Sequence, residues 1–131
     1  MMLSNQQITK IIHSHDYYST VHAMTDVTGF GFASHLGEML INSNLGANIS
    51  KLPVFPKTPA LDEDFSYGII EGCGAEISGP MLLSIDEASF QDFTRSLTDE
   101  HVWWFDVGTI SSQVNEVVFT DTFEYHEADT F

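Results

Sequence analysis

The sequence predicts an α+β fold in which a mixed β-sheet packs against α-helices. Two observations carry this. Stretches with apolar residues at helical spacing alternate with about five short apolar runs of strand character. Pro53, Pro56 and Pro59 then break regular structure through the middle of the chain.

Residues 1–5 are polar and expected to be loose. Ile8, Ile11 and Ile12 recur at helical spacing, so 6–16 reads as a short helix and 17–20 as a connection. Residues 21–26 read as a strand, short and apolar enough to be central. Phe32, Leu36, Met39 and Leu40 mark one face of a helix over 30–42, which Asn44, Leu45 and Gly46 end. A second strand follows at 47–50. Residues 61–70 read as a short helix opened by Asp62, Glu63 and Asp64, since acids suit a helix N-terminus. Residues 71–74 are a turn and 81–85 a strong strand. Asp86 is expected to cap a helix over 89–97, which packs through Phe90, Phe93 and Leu97. Residues 102–110 and 115–120 read as the last strands, joined as a hairpin around 111–113, and 121–131 as an acidic tail. With no internal repeat and no long linker, 1–131 reads as a single domain.

Apolar residues make up 43% of the 131, ten of them Phe, which is enough for a core. No run approaches the roughly 20 apolar residues of a membrane helix, and no basic segment followed by an apolar run opens the chain. One cysteine, Cys73, excludes an internal disulfide and fits a reducing, cytoplasmic compartment. It reads as a small, partly buried residue beside a glycine turn, because no basic neighbour favours its thiolate. Nineteen acidic residues face four basic ones, a net charge of −15. Such a surface repels nucleic acid and anionic membranes, so neither is an expected partner. It also opposes nucleotide binding unless a divalent metal or a basic partner domain offsets the charge. The acidic groups themselves read as solvated surface.

The most informative stretch is Thr25-Asp26-Val27-Thr28-Gly29-Phe30-Gly31, which joins a strand-like run to a helix-like one. A carboxylate at a strand end is a hard oxygen ligand suited to magnesium. Two glycines at a helix mouth let the backbone turn and approach an anion, which a helix N-terminus favours. Asp26 is equally suited to capping a helix. Thr25 and Thr28 have hydroxyls for a metal's waters or for phosphate, or for bonds to the nearby backbone. Gly29 and Gly31 set the turn under either reading. His13, His15, Asp16 and His22 form a second cluster, but His13 and His15 diverge at a helix end, so a zinc site is not favoured. His35 and Glu38, three apart on a helix, read as an exposed polar pair.

The segment His22-Ala23-Met24-Thr25-Asp26-Val27-Thr28-Gly29-Phe30-Gly31, continued by His35-Leu36-Gly37-Glu38-Met39, closely resembles the signature of selenophosphate synthetase, or selenide, water dikinase. Weaker echoes follow in order: Gly46-Ala47-Asn48-Ile49, then Leu52-Pro53-Val54-Phe55-Pro56, then Ser78-Gly79-Pro80-Met81-Leu82-Leu83, then Trp104-Phe105-Asp106-Val107-Gly108-Thr109-Ile110. The likeness spans residues 20–118. It implies the C-terminal domain shared with aminoimidazole ribonucleotide synthetase, a mixed sheet with partly ferredoxin-like topology.

The resemblance also implies a function: supporting the ATP–Mg2+ site at which selenide and ATP yield selenophosphate, AMP and phosphate. Asp26 would be a metal ligand there, with Thr25, Thr28, Gly29 and Gly31 beside the phosphates. The family's N-terminal domain, with its reactive Cys or selenocysteine, Lys, glycine-rich segment and further aspartates, has no counterpart in these residues. The chain alone is therefore expected to be inactive and to pair with that missing domain or with itself as a homodimer. A non-catalytic interaction module of the same superfamily is the alternative. One loop departs from the family pattern: Gly74-Ala75-Glu76-Ile77 stands where Asp-Pro-Gln-Thr is usual, and Pro80 replaces a second glycine.

Overall fold

The computed structural model describes residues 5–65, 68, 72–74, 79–114 and 116–128. Residues 1–4, expected to be loose, the end of the helix expected over 61–70, most of the 74–77 departure and the last residues of the acidic tail lie outside the described residues. The architecture is α+β, with four α-helices and five strands among the described residues. The strands form a two-stranded sheet and a three-stranded sheet. The chain divides into two compact units, Met1–Asp26 with Pro80–Trp104, and Val27–Gly79 with Phe105–Phe131.

In the first unit, α1 (Gln6–Ser14) leads through a short 3₁₀ turn, Tyr17–Ser19, into β1 (Val21–Asp26). β3 (Met81–Ile85) runs antiparallel to β1, with Val21 opposite Ile85 and Asp26 opposite Met81. α4 (Phe90–Asp99) completes the unit. Its core is Ile11, Ile12, Phe93, Leu97 and Val102, packed against Ile8, Tyr17, Val21, Leu83 and Ile85. The helical spacing of the isoleucines and of Phe93 and Leu97 thus marks the buried faces. Tyr17 sits edge-on to Phe93 with centroids 5.0 Å apart, and its hydroxyl lies 2.8 Å from Ser96 Oγ.

Asp86 does not cap α4 through its side chain. Its backbone N–H bonds to Thr20 O, and a 3₁₀ turn over Glu87–Ser89 intervenes before the helix. The strand expected over 102–110 shrinks to four residues, β4 (Gly108–Ser111). Val102 is instead drawn into the first core, and the Trp104 indole N–H donates to Thr98 Oγ1 of α4 at 3.0 Å.

The second unit contains α2 (Gly31–Leu40), β2 (Gly46–Val54), α3 (Thr58–Phe65), β4 and β5 (Val117–Glu127). Its sheet has the order β4-β2-β5, with β4 antiparallel and β5 parallel to β2. The expected hairpin between the last two strands is therefore not formed: both flank β2. β5 also continues to Glu127, through most of what reads as an acidic tail. Alternation over 122–126 lets it do so, since Phe123 and Tyr125 are half-buried while Thr122, Glu124 and His126 face water. β2 outruns its expected end because β5 stays paired with it through Val54, whereas β4 reaches only Ile49. Pro53 then lies where the strand has lost one neighbour, a place that tolerates proline.

α3 starts at Thr58, with Pro59 in its first turn, where a missing N–H costs nothing. The acidic triplet therefore lies inside the helix rather than at its mouth, and Asp62 is buried. Leu36, Leu40, Ala47, Ile49, Leu52 and Val54 are buried in this unit. Among the described residues no helix is long and apolar enough to cross a membrane.

Candidate functional site

The division between the units falls inside the motif. Thr25 and Asp26 close β1, whereas Thr28, Gly29 and Gly31 belong to the second unit. Val21, Ala23 and Thr25 are half-buried along β1, while His22, Met24 and Asp26 are exposed. Period-two alternation thus puts the Asp26 carboxylate in water at the C-terminal end of the strand. Among the described residues it takes part in no ion pair. Thr25 Oγ1 donates to the Asp26 backbone carbonyl at 3.3 Å, the local bond open to it from sequence.

Gly31 opens α2 at φ +77°. A Cβ there would lie 2.6 Å from the Cys73 carbonyl carbon and 2.8 Å from Gly72 O. Its glycine is therefore accounted for by backbone packing. Gly29 has open space around the position a Cβ would take. The α2 N-terminus is already partly engaged: Gly31 N–H donates to Thr28 O at 2.9 Å, and Ala33 N–H to Gly72 O at 2.8 Å. An anion at this helix mouth would compete with the second bond.

His35 is buried, contrary to the exposed pair expected from spacing. Its Nε2 lies 3.2 Å from Thr28 Oγ1, and its Nδ1 lies 3.4 Å from Glu38 Oε2. Sequence spacing shows the His35–Glu38 neighbourhood but not the bond to Thr28, which requires the turn to fold back on the helix. Cys73 is exposed rather than partly buried. In the histidine cluster, His13 pairs with the Tyr18 hydroxyl and His15 stacks on Tyr17. Among the described residues no group of three or more His, Cys, Asp or Glu side chains could hold a metal ion.

The donor chemistry of Asp26 fits Mg2+ as one ligand of a shell. It is an exposed, hard, anionic oxygen, and Mg2+ ordinarily takes one or two carboxylates with water and phosphate oxygens for the rest.

Residues 6–121 match the family model of the AIR synthase related protein, C-terminal domain. The chain belongs to that family. Within this AIR synthase related family, it is similar to selenide, water dikinases. The Methanocaldococcus jannaschii protein is 36% identical over 89 residues, which are 68% of this chain and 26% of that protein. The Methanococcus maripaludis protein is 38% identical over 89 residues, 68% of this chain and 27% of the relative. The Aeromonas hydrophila protein is 51% identical over 79 residues, 60% of this chain and 20% of the relative. The chain thus corresponds to a C-terminal-domain-like portion of much longer proteins, and its α+β architecture accords with the AIR synthase related domain.

Proposed function

We propose that this chain is the C-terminal domain of a selenide, water dikinase-like protein, cytoplasmic, and supports an ATP–Mg2+ site for selenophosphate formation. The observation that carries the reading is the exposed Asp26 carboxylate at the end of β1, within the segment most like the selenophosphate synthetase signature. In the assembled protein Asp26 holds the metal on the nucleotide phosphates. Thr25, Thr28, Gly29 and Gly31, its neighbours in sequence, support that site. Mg2+, when bound, neutralises phosphate charge that a chain of net charge −15 would otherwise repel.

A single carboxylate leaves most of a six-oxygen shell to other groups. The remaining ligands come from a partner domain, and the chain alone is inactive because phosphoryl transfer depends on positioning and electrostatics that one ligand does not supply. A chimera tests this. These residues replace the matching segment of the Methanocaldococcus jannaschii relative, and AMP formation from ATP is followed with selenide and Mg2+. The chimera is expected to turn over, and Asp26→Ala to lower its rate by about 10²-fold or more. A folded chimera whose rate is unchanged by Asp26→Ala would remove the metal role.

The second reading is a non-catalytic association module. Large apolar side chains of the second unit favour it: Phe30 is 70% exposed, Ile41 62%, Val114 57% and Phe55 55%.

A further inference from the structure

Thr28, His35 and Glu38 stand in a row within the second unit: Thr28 Oγ1 hydrogen-bonds with His35 Nε2 at 3.2 Å, and Glu38 Oε2 lies 3.4 Å from His35 Nδ1. An ionised carboxylate is negative and has no hydrogen to give, so beside Nδ1 it favours a ring N–H there over a bare lone pair, which it would repel. A neutral imidazole carries one N–H, which makes Nε2 an acceptor. The hydrogen of the other contact must then come from the Thr28 hydroxyl. A hydroxyl has one proton and two lone pairs. With the proton committed to His35, Thr28 has only acceptor capacity left to offer.

We propose that His35, its tautomer set by Glu38, is a positioning residue that commits the Thr28 hydroxyl as an acceptor. Thr28 then takes a hydrogen-bond donor, such as water held by a divalent cation, and rejects a phosphate oxygen. Phosphate oxygens are themselves acceptors, and two acceptors face to face repel. Water on a divalent cation is polarised and donates strongly. This decides between the two ligand roles that the motif leaves open for Thr28.

The geometry supports a persistent arrangement. The His35 side chain is 10% exposed, and its ring centroid lies 6.0 Å from that of Phe30. Losing the Thr28 bond would strand a buried ring nitrogen. The Glu38 side chain is 62% exposed, so its contact with the ring adds little stability. A weak attraction is enough, because it has only to choose between two tautomers of similar energy. The choice of a metal's water as ligand rests on the metal reading above; the tautomer and the direction of the Thr28 bond do not.

Long-range ¹H–¹⁵N correlation spectra of the 131-residue chain at about pH 8, where ordinary imidazole is neutral, report the tautomer directly. His35 is expected to show a protonated Nδ1 and a bare Nε2. Glu38→Gln, which keeps an acceptor, should preserve that pattern. Glu38→Lys, which has only donors, should reverse it. Mn2+ is then expected to broaden the Thr28 amide signal, and less so in Thr28→Val, while inorganic phosphate leaves that signal in place.

A protonated Nε2 in the wild-type chain, or a Thr28 shift driven by phosphate, overturns the proposal. If Mn2+ broadens nothing but the tautomer and its reversal are as stated, the Thr28–His35–Glu38 assignment stands, the cation's water is overturned as the ligand of Thr28 in this chain, and the Asp26 reading is decided by the chimera.

Discussion

Gly29 and Gly31 flank one phenylalanine but carry different constraints. Gly31 adopts φ +77° with the backbone of Cys73 inside contact distance of any added Cβ, whereas nothing lies within 4 Å at Gly29. Gly31→Ala is expected to lose about 2–5 kcal/mol, combining left-handed strain with overpacking. Gly29→Ala should stay within about 0.5 kcal/mol of the parent, as an unencumbered surface change does. Chemical denaturation of the two variants checks the contrast, and equal losses would contradict it. Gly29→Ala then becomes a clean probe: if close approach of phosphate requires this glycine, nucleotide binding by the assembled protein falls while stability does not. Asp26→Ala is a similar probe. Its carboxylate is exposed at a strand end, so stability should change by no more than about 1–2 kcal/mol in a urea melt.

At the scale of elements, β1 shows how register decides chemistry. Its even-numbered side chains face water, so a one-residue slip would bury Asp26 and expose Val21 and Thr25. The pairing of Asp26 with Met81 and the packing of Val21 against the first core hold that register. Phe93 is the main support from α4, at 2% exposure and edge-on to Tyr17. Phe93→Ala should cost about 3–5 kcal/mol, the range for emptying a buried aromatic position. The measurement is a denaturation midpoint with an unchanged slope, and a loss below about 1 kcal/mol would mean that α4 is not anchored there. α2 is held differently: its first turn is tied by backbone bonds to Thr28 and Gly72.

For the whole molecule, charge and apolar surface pull in opposite directions. A net charge of −15 opposes contact between copies, most strongly at low salt. Both units nonetheless expose large apolar side chains, among them Tyr18 at 61% in the first and Phe30 at 70% in the second. The expected outcome is a homodimer that tightens as salt rises, with acidic residues at its rim. Sedimentation at two salt concentrations decides it, and a monomer at both would refute association. Catalysis belongs to this scale too. With ATP, Mg2+ and selenide, the purified chain is expected to form no AMP above a no-protein control, and selenide-dependent AMP would overturn the view that a partner domain is needed.

Local physics made much of this protein legible from its sequence. The isoleucines of α1, the Phe93–Leu97 spacing of α4 and the apolar run of β3 have periods set by the backbone itself, so those elements lie where expected. Asp26 at a strand end was legible for the same reason. Contacts between residues far apart in sequence were not. Whether β4 and β5 pair with each other or with β2 depends on which edge of β2 each strand finds, and short-range pattern is silent on that. The burial of His35 and its bond to Thr28 depend on a turn folding back over a helix face, seven residues away. Gly31 reads as a ligand-approach glycine until the backbone of Cys73 is seen against it, a neighbour supplied by tertiary folding alone.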